Sequence, residues 1–229
     1  MIPPGQSAAF VADMERVLAL YSEPYDAARP VVCFDERPCV LHDDVRDPLP
    51  MRPGSETAPP RRAVQQDHEY VRGGTCCVLA AFEPLSAWRR VWALPQRRRV
   101  EFAAVVQALC DEVYPDAERV RLVCDNLNTH SAASFYEAFA PSEARRLAAK
   151  VEFVHTPVHG SWLNAVEVEL SVFVRQCLGR RRIGTVEALR SEAEAWAVRR
   201  NAEGGTVEWQ MTTEDARTKL RRLYPSTTP

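Results

Sequence analysis

Val120-Arg121-Leu122-Val123-Cys124-Asp125-Asn126 is the stretch on which the fold turns. A mostly apolar, β-favouring run ends on an acid and a polar turn, the pattern of a short buried strand. Helical spacing flanks it on both sides. Upstream, Phe102, Val105, Val106, Leu109 and Val113 form one stripe within residues 99–113. Downstream, residues 134–139 and 143–149 read as helix around Pro141, and Val151 to Val154 as a further strand ended by Thr156-Pro157. Strands separated by helices are expected to lie parallel to their neighbours, through right-handed crossovers.

Nearer the N-terminus the pattern changes. Residues 6–21 carry apolar side chains at helical spacing, and Glu23-Pro24 and Arg29-Pro30 break the helix. Residues 31–35 read as a buried strand ending at Asp35-Glu36-Arg37-Pro38. Residues 42–68, with five prolines from Pro48 to Pro60, read as a long loop. Tyr70-Val71-Arg72 then meets a Gly73-Gly74 turn, and Thr75 to Phe82 and Trp88 to Leu94 read as strands. Short links favour an antiparallel meander.

Past residue 160 the pattern predicts a helix from about Ser161 to Leu178 and another over 185–200 with Thr185 as N-cap. A last helix follows, capped by Thr213-Glu214-Asp215. The expected fold is α/β: a mixed five-stranded sheet, three antiparallel strands then two parallel, with helices on both faces. Residues 1–30 are expected to be a helix and linker, and residues 31–229 the main domain.

Composition sets bounds. The 229 residues, 46% apolar and 26% charged, are ordinary for a globular protein. No run approaches the ~18–20 apolar residues of a membrane span, and Met1-Ile2-Pro3-Pro4-Gly5 lacks a signal-peptide pattern, so a cytoplasmic location is expected. The seven cysteines are odd in number and form no Cys-x-x-Cys pair, which suits buried thiols better than a disulfide framework.

The net charge of −2 argues against a protein that grips nucleic acid by overall charge. All the basic residues except Lys150 and Lys219 are arginine, a residue suited to bidentate phosphate contact; compositional bias of the genome is the rival reading. Residues 84–100, with Arg97, Arg98 and Arg99, and residues 175–190, with Arg180, Arg181 and Arg182, are locally basic. Each reads as a set of phosphate contacts or as a solvated face.

Three acids stand where chemistry is expected. Asp35 and Asp125 lie at the expected ends of strands that parallel pairing would set side by side, so their side chains can share an ion in the crevice beyond. Glu167 and Glu169 follow on a helix, about 200° apart, so only one can face that crevice. Asn164 and Ser171 are in phase with Glu167, whereas Val166, Val172 and Phe173 are in phase with Glu169, which favours Glu167. Glu36 rivals Asp35, because adjacent strand residues point to opposite faces. Carboxylates are hard ligands for Mg²⁺ or Mn²⁺, and two such ions serve phosphoryl transfer. Asn126, Asn128 and His130 read as site support or as loop-backbone partners; His159-Gly160 reads as a tight turn, with phosphate contact a further role for His159. Trp162 reads as a packing anchor.

These blocks, Val-Cys-Phe-Asp35-Glu36, Val-Cys-Asp125-Asn126-Leu-Asn128-Thr-His130 and Thr-Pro157-Val-His159-Gly-Ser161-Trp162-Leu-Asn164-x-x-Glu167, resemble the catalytic blocks of DDE transposases. The likeness is nearest to the bacterial insertion-sequence branch of the mariner superfamily, and it runs from about residue 30 to the end. It implies a ribonuclease H-like fold in which Asp35, Asp125 and Glu167 ligate two Mg²⁺ ions. It further implies cleavage at transposon ends, strand transfer into target DNA, and a dimer or larger assembly on DNA. Transposases of this kind carry helix-turn-helix domains ahead of the catalytic domain, and the residues before Asp35 leave no room for them, so a truncated catalytic domain is expected. A non-catalytic, DNA-associated relic and a ribonuclease H-like nuclease of other purpose are the alternative readings.

Overall fold

Strand β1, Val31–Asp44, continues well past Asp35, where the sequence pattern places its end. The computed structural model describes residues 5, 7–46, 68–179 and 181–226. Strand β2, Tyr70–Glu83, pairs antiparallel with β1 from Cys33 opposite Phe82 to Asp44 opposite Tyr70. That ladder keeps the polar Asp35–Pro38 segment extended. Pro38, opposite Cys77, has no N–H to donate, and it is tolerated where β1 has become an edge.

Gly73-Gly74 is not a turn. The register of β1 with β2 slips between Leu41 and His42, leaving Gly73 as the extra residue of a bulge inside β2. A Cβ on Gly73 would lie 2.2 Å from the carbonyl oxygen of Gly184, so only glycine admits this close approach. Of the expected loop over 42–68, the first residues belong to β1, and 47–67 lie outside the described residues.

Strand β3, Trp88–Leu94, pairs antiparallel with β2. Strand β4, Val120–Cys124, pairs parallel with β1 from Val31 to Cys33, and β5, Val151–His155, pairs parallel with β4. The sheet order is β3-β2-β1-β4-β5, with three antiparallel strands and then two parallel, as expected.

Among the described residues seven α-helices cover the two faces. They are α1 Ala8–Tyr21, α2 Arg99–Ala108, α3 Ala133–Ala138, α4 Pro141–Lys150, α5 Val166–Phe173, α6 Val186–Glu203 and α7 Thr213–Lys219. Helices α2 and α5 each run on into a π-helical turn, at Leu109–Val113 and Val174–Leu178. Strand alternation sorts the core: Cys33, Val78, Phe82 and Val123 face α1, α5 and α6. Val32, Phe34, Leu79 and Leu122 face α2, α3 and α4.

Helix α1 buries Phe10, Met14, Val17, Leu18 and Leu20 in the first of these cores, and Ser7 caps it by accepting from the Phe10 N–H at 3.2 Å. The cap of α7 is Thr212, one residue before the expected one, because its hydroxyl accepts from the Asp215 N–H while Asp215 reaches back to the Thr212 N–H. All seven cysteines are free and buried. No described helix is long and apolar enough to cross a membrane.

The locally basic stretch leading into α2 is paired with acids, one of them in α2 itself and the others from distant segments. Arg90 pairs with Glu112, Arg97 with Glu36, Arg98 with Glu101 and Arg99 with Glu137. In the second stretch Arg181 pairs with Glu192 and Arg182 with Asp44; Arg180 lies outside the described residues. Arg89 is fully buried, with its Nε 3.2 Å from Glu169 Oε2 and its guanidinium donating to the carbonyls of Arg200 and Gly205. The Arg89–Glu169 approach is a charge contact rather than an aligned hydrogen bond, since both atoms lack a hydrogen-bond partner.

This pair anchors α5 to β3 across the core. Removing one partner leaves the other charge buried. Glu169→Ala is therefore expected to lower the unfolding free energy by about 3 kcal/mol, read as a shifted midpoint in urea denaturation.

Candidate active site

Parallel pairing between β1 and β4 is described only as far as Cys33 opposite Val123, and β4 ends one residue later while β1 continues. Beyond that point β2 is the only described strand paired with β1, and where β4 stops the ladder is cleft beside Asp35. Asp125 is the first residue after β4. Asp35 follows the alternation of Cys33 and so faces the α5 side of the sheet; Glu36 follows Val32 and Phe34 and faces the α2 side. The two adjacent acids therefore part company.

Asp35 Oδ1 accepts the Glu36 N–H at 2.7 Å. Burial pushes the Asp35 carboxyl up to about 7, and the negative charges of Glu167 and Asp125 add to the rise despite that hydrogen bond. Asp125 moves the other way. Its Oδ1 takes hydrogen bonds from His130 Nδ1 at 2.7 Å and the Leu127 N–H at 3.0 Å, and the His130 bond holds it below the usual carboxylate range.

His130 is buried, and its Nε2 lies 3.0 Å from Glu36 Oε2. Burial opposes its charge, but hydrogen bonds to Asp125 and Glu36 prevail and push it up to about 9. With a carboxylate at each ring nitrogen, both nitrogens donate. The ring packs against Phe34 and Phe102, at centroid distances of 5.5 and 4.9 Å.

The expected continuous helix from Ser161 is broken. Ser161–Leu163 is a 3-10 turn, Asn164 is extended, and α5 starts at Val166. Asn164 leaves the helical path because its Nδ2 donates to the Phe34 carbonyl at 2.9 Å, inside the core. That bond and Tyr21 Oη, which donates to the Leu163 carbonyl at 2.9 Å, fasten the start of α5 beside Asp35. Asn164 Oδ1 is buried with no hydrogen-bond partner among the described residues. His159 adopts φ 67°, and Gly160 follows it in the turn, where a Cβ would meet Pro157 at 2.5 Å.

Glu167 and Glu169 diverge on α5 as their phase predicts. Glu169 is buried against Arg89 and Arg200, whereas Glu167 is half-buried and its charge is felt at Asp35. Asn126 is exposed, yet its Nδ2 ties the loop to the Thr156 carbonyl at 2.6 Å. Arg97 reaches Glu36 at 3.0 Å, while Arg98 is held by Glu101 and Arg181 by Glu192, with no link described from either to the aspartates.

Among the described residues no three His, Cys, Asp or Glu side chains form a ready-made metal cluster. Asp35 and Asp125 stand at the break between β1 and β4, and the charge of Glu167 is felt at Asp35. Their chemistry nevertheless fits a hard divalent cation: all are carboxylates, and among the described residues no arginine or lysine is paired with Asp35, Asp125 or Glu167. The part of the site that the sequence reading missed is Glu36 bound to His130. An acid at an even-numbered strand position, in phase with Val32 and Phe34, signals a buried partner on that face.

The family model described as DDE superfamily endonuclease matches residues 30–190. Among solved structures, the Mos1 mariner paired-end complex with Mn is similar with a TM-score of 0.57 at 12% identity, over 99% of this chain and 66% of that one. The Mos1 strand transfer complex gives 0.54 at 13%, over 83% and 53%, and the Mos1 paired-end complex with the left transposon end gives 0.53 at 14%, over 86% and 57%. The chain thus spans between about half and two thirds of the transposase chains it matches, and at these identities the likeness is one of fold. No curated protein matches the sequence.

A carboxyl with a raised folded pKa stabilises the fold below its unfolded value, and that contribution is lost as pH rises through the folded value. For Asp35 the window is from about 4 to about 7. Asp35→Asn is expected to raise the thermal midpoint of the metal-free protein at pH 8 by several degrees, with little change at pH 4, as read by calorimetry at the two pH values.

Proposed function

This chain belongs to the DDE superfamily endonucleases, and we propose that it is a metal-dependent transposase catalytic domain that cuts DNA at the ends of a mobile element and joins them to target DNA. The observation that supports this reading is the proximity of three acids from separate elements: parallel pairing sets the ends of β1's paired stretch and of β4 side by side, and the charges of Asp125 and of Glu167 on α5 are both felt at Asp35. The ribonuclease H-like fold common to this chain and the Mos1 transposase supports it.

In this reading Asp35, Asp125 and Glu167 would hold two Mg²⁺ ions, or Mn²⁺ in their place. When bound, these ions would supply charge stabilisation to the attacking and leaving oxygens of a phosphodiester. The remaining work falls to the chain. Asn164 and Tyr21 fix the start of α5, so that Glu167 stays beside β1. Asn126 fixes the loop after Asp125 against the start of the segment leading to α5.

The Asp35 carboxyl, raised by burial and by its acidic neighbours, would give up its proton as a cation takes the cleft. Water and then a DNA 3′-hydroxyl would be the successive nucleophiles, with no covalent link between protein and DNA. Exposed His159 and Asn126, on the turns that border the acids, are the groups proposed to meet the DNA backbone. Action as a homodimer or larger assembly on DNA belongs to the same proposal.

The test is nicking of supercoiled plasmid and short duplexes, including pre-nicked ones, with Mg²⁺ or Mn²⁺. Cleavage is expected with either metal, and Asp125→Asn and Glu167→Gln should reduce it to the level seen with EDTA without loss of folded structure by circular dichroism. Cleavage that persists in both variants, or a wild type inert on every substrate with either metal, would overturn the reading.

A further inference from the structure

Glu36 and His130 lie outside the acid triad and on the other side of the sheet, yet they end on it. Glu36 uses both carboxylate oxygens: Oε1 accepts from Arg97 Nη1 at 3.0 Å, and Oε2 faces His130 Nε2 at 3.0 Å. His130 passes from that face to the cleft and donates through Nδ1 to Asp125 Oδ1 at 2.7 Å. The chain is therefore Arg97–Glu36–His130–Asp125, running from an exposed guanidinium through two buried groups to a carboxylate at the cleft.

His130 is itself held tightly. Its ring is packed by Phe34 and Phe102, its backbone N–H donates to the Leu127 carbonyl at 2.9 Å, and its backbone carbonyl is met by His155 Nε2 at 3.0 Å. The described hydrogen bonds to Asp125 both fall on Oδ1, so the carboxylate is pinned by one oxygen with the other turned elsewhere.

We propose that Glu36 and His130 are positioning residues for the metal-binding carboxylate: Glu36 orients the His130 ring, and the ring fixes Asp125 with Oδ1 engaged and Oδ2 presented to a divalent cation. This rests on the reading of Asp125 as a metal ligand. Asp125 follows the last residue of β4, where no ladder bond restrains its side chain, and a carboxylate half exposed to water would otherwise sample several rotamers. An imidazole braced between two carboxylates removes that freedom, as partners of metal ligands generally do. It also gives Glu36, directly after Asp35 in sequence, a task that needs the opposite face.

Binding of Mn²⁺ to the whole chain without DNA, followed by calorimetry and by the electron paramagnetic resonance of the ion, tests this apart from catalysis. His130→Phe keeps the ring packing and removes both hydrogen bonds, and it should weaken Mn²⁺ binding by about 10–100-fold in protein that remains folded by circular dichroism. Glu36→Ala should behave the same way. Glu36→Gln, whose amide oxygen still accepts from His130 Nε2, should restore affinity to within about threefold of wild type.

Asp125→Asn serves as the reference for loss of the ligand itself. Wild-type Mn²⁺ affinity in both His130→Phe and Glu36→Ala, with binding abolished in Asp125→Asn, would overturn the positioning role and leave the metal site standing. A wild-type chain that binds no Mn²⁺ would overturn the metal site, and the brace with it.

Discussion

Everything at the cleft depends on the unequal lengths of two neighbouring strands. β1 and β4 run together only to Cys33 and Val123; then β4 ends and β1 goes on, with β2 as its one described strand partner. A sheet whose strands all ended together would present Asp35 at a rim. Here it stands part-way along a strand, with one edge uncovered and Asp125 entering from the shorter neighbour. Crevices beyond the carboxyl ends of parallel strands are common ligand sites in α/β sheets. In this chain the antiparallel half extends that crevice by carrying β1 past it.

Around this opening, charge is managed by alternation. Successive residues of a strand look to opposite faces, so Asp35 and Glu36 serve different surroundings although they are adjacent. Asp35 meets the negative charge of Asp125 and Glu167, while Glu36 finds Arg97 and His130. Helix α5 repeats the device at its own period: Glu169 turns inward to Arg89 and Arg200, which leaves Glu167 to the cleft side. In both places one acid of a close pair is neutralised by partners and the other is left in a field of like charge. Like charges gathered in this way oppose one another, and they stay together because the fold holds the elements that carry them.

Much of the fold was legible in sequence because it rests on local periodicity. The five strands, with three antiparallel and two parallel, and the helices near residues 6–21 and 99–113 answer to apolar spacing, and Thr185 caps α6 as its side-chain chemistry suggests. The misreadings share one cause, which is that a distant partner outweighed a local signal. Asp35-Glu36-Arg37-Pro38 looks like a turn until β2 supplies a ladder. Gly73-Gly74 looks like a hairpin until Gly184 is seen packed against it. Asn164 looks helical until its amide is found on the Phe34 carbonyl.

By itself the sequence determined which residue types were at hand and their local phase: acids following short apolar runs, Glu167 out of phase with Glu169, and apolar stripes for the helices near residues 6–21 and 99–113. Periods of two and near 3.6 residues are properties of a single segment, so they can be read without its neighbours. Only the tertiary structure decided which of Asp35 and Glu36 shares a face with α5, and that the arginines near residues 90 and 181 are matched by acids from elsewhere. It alone joined Glu36 to Asp125 through His130. Those outcomes depend on contacts between residues far apart in the chain, and a hydrogen bond or an ion pair of a few ångströms leaves no periodic trace in the order of the residues that make it.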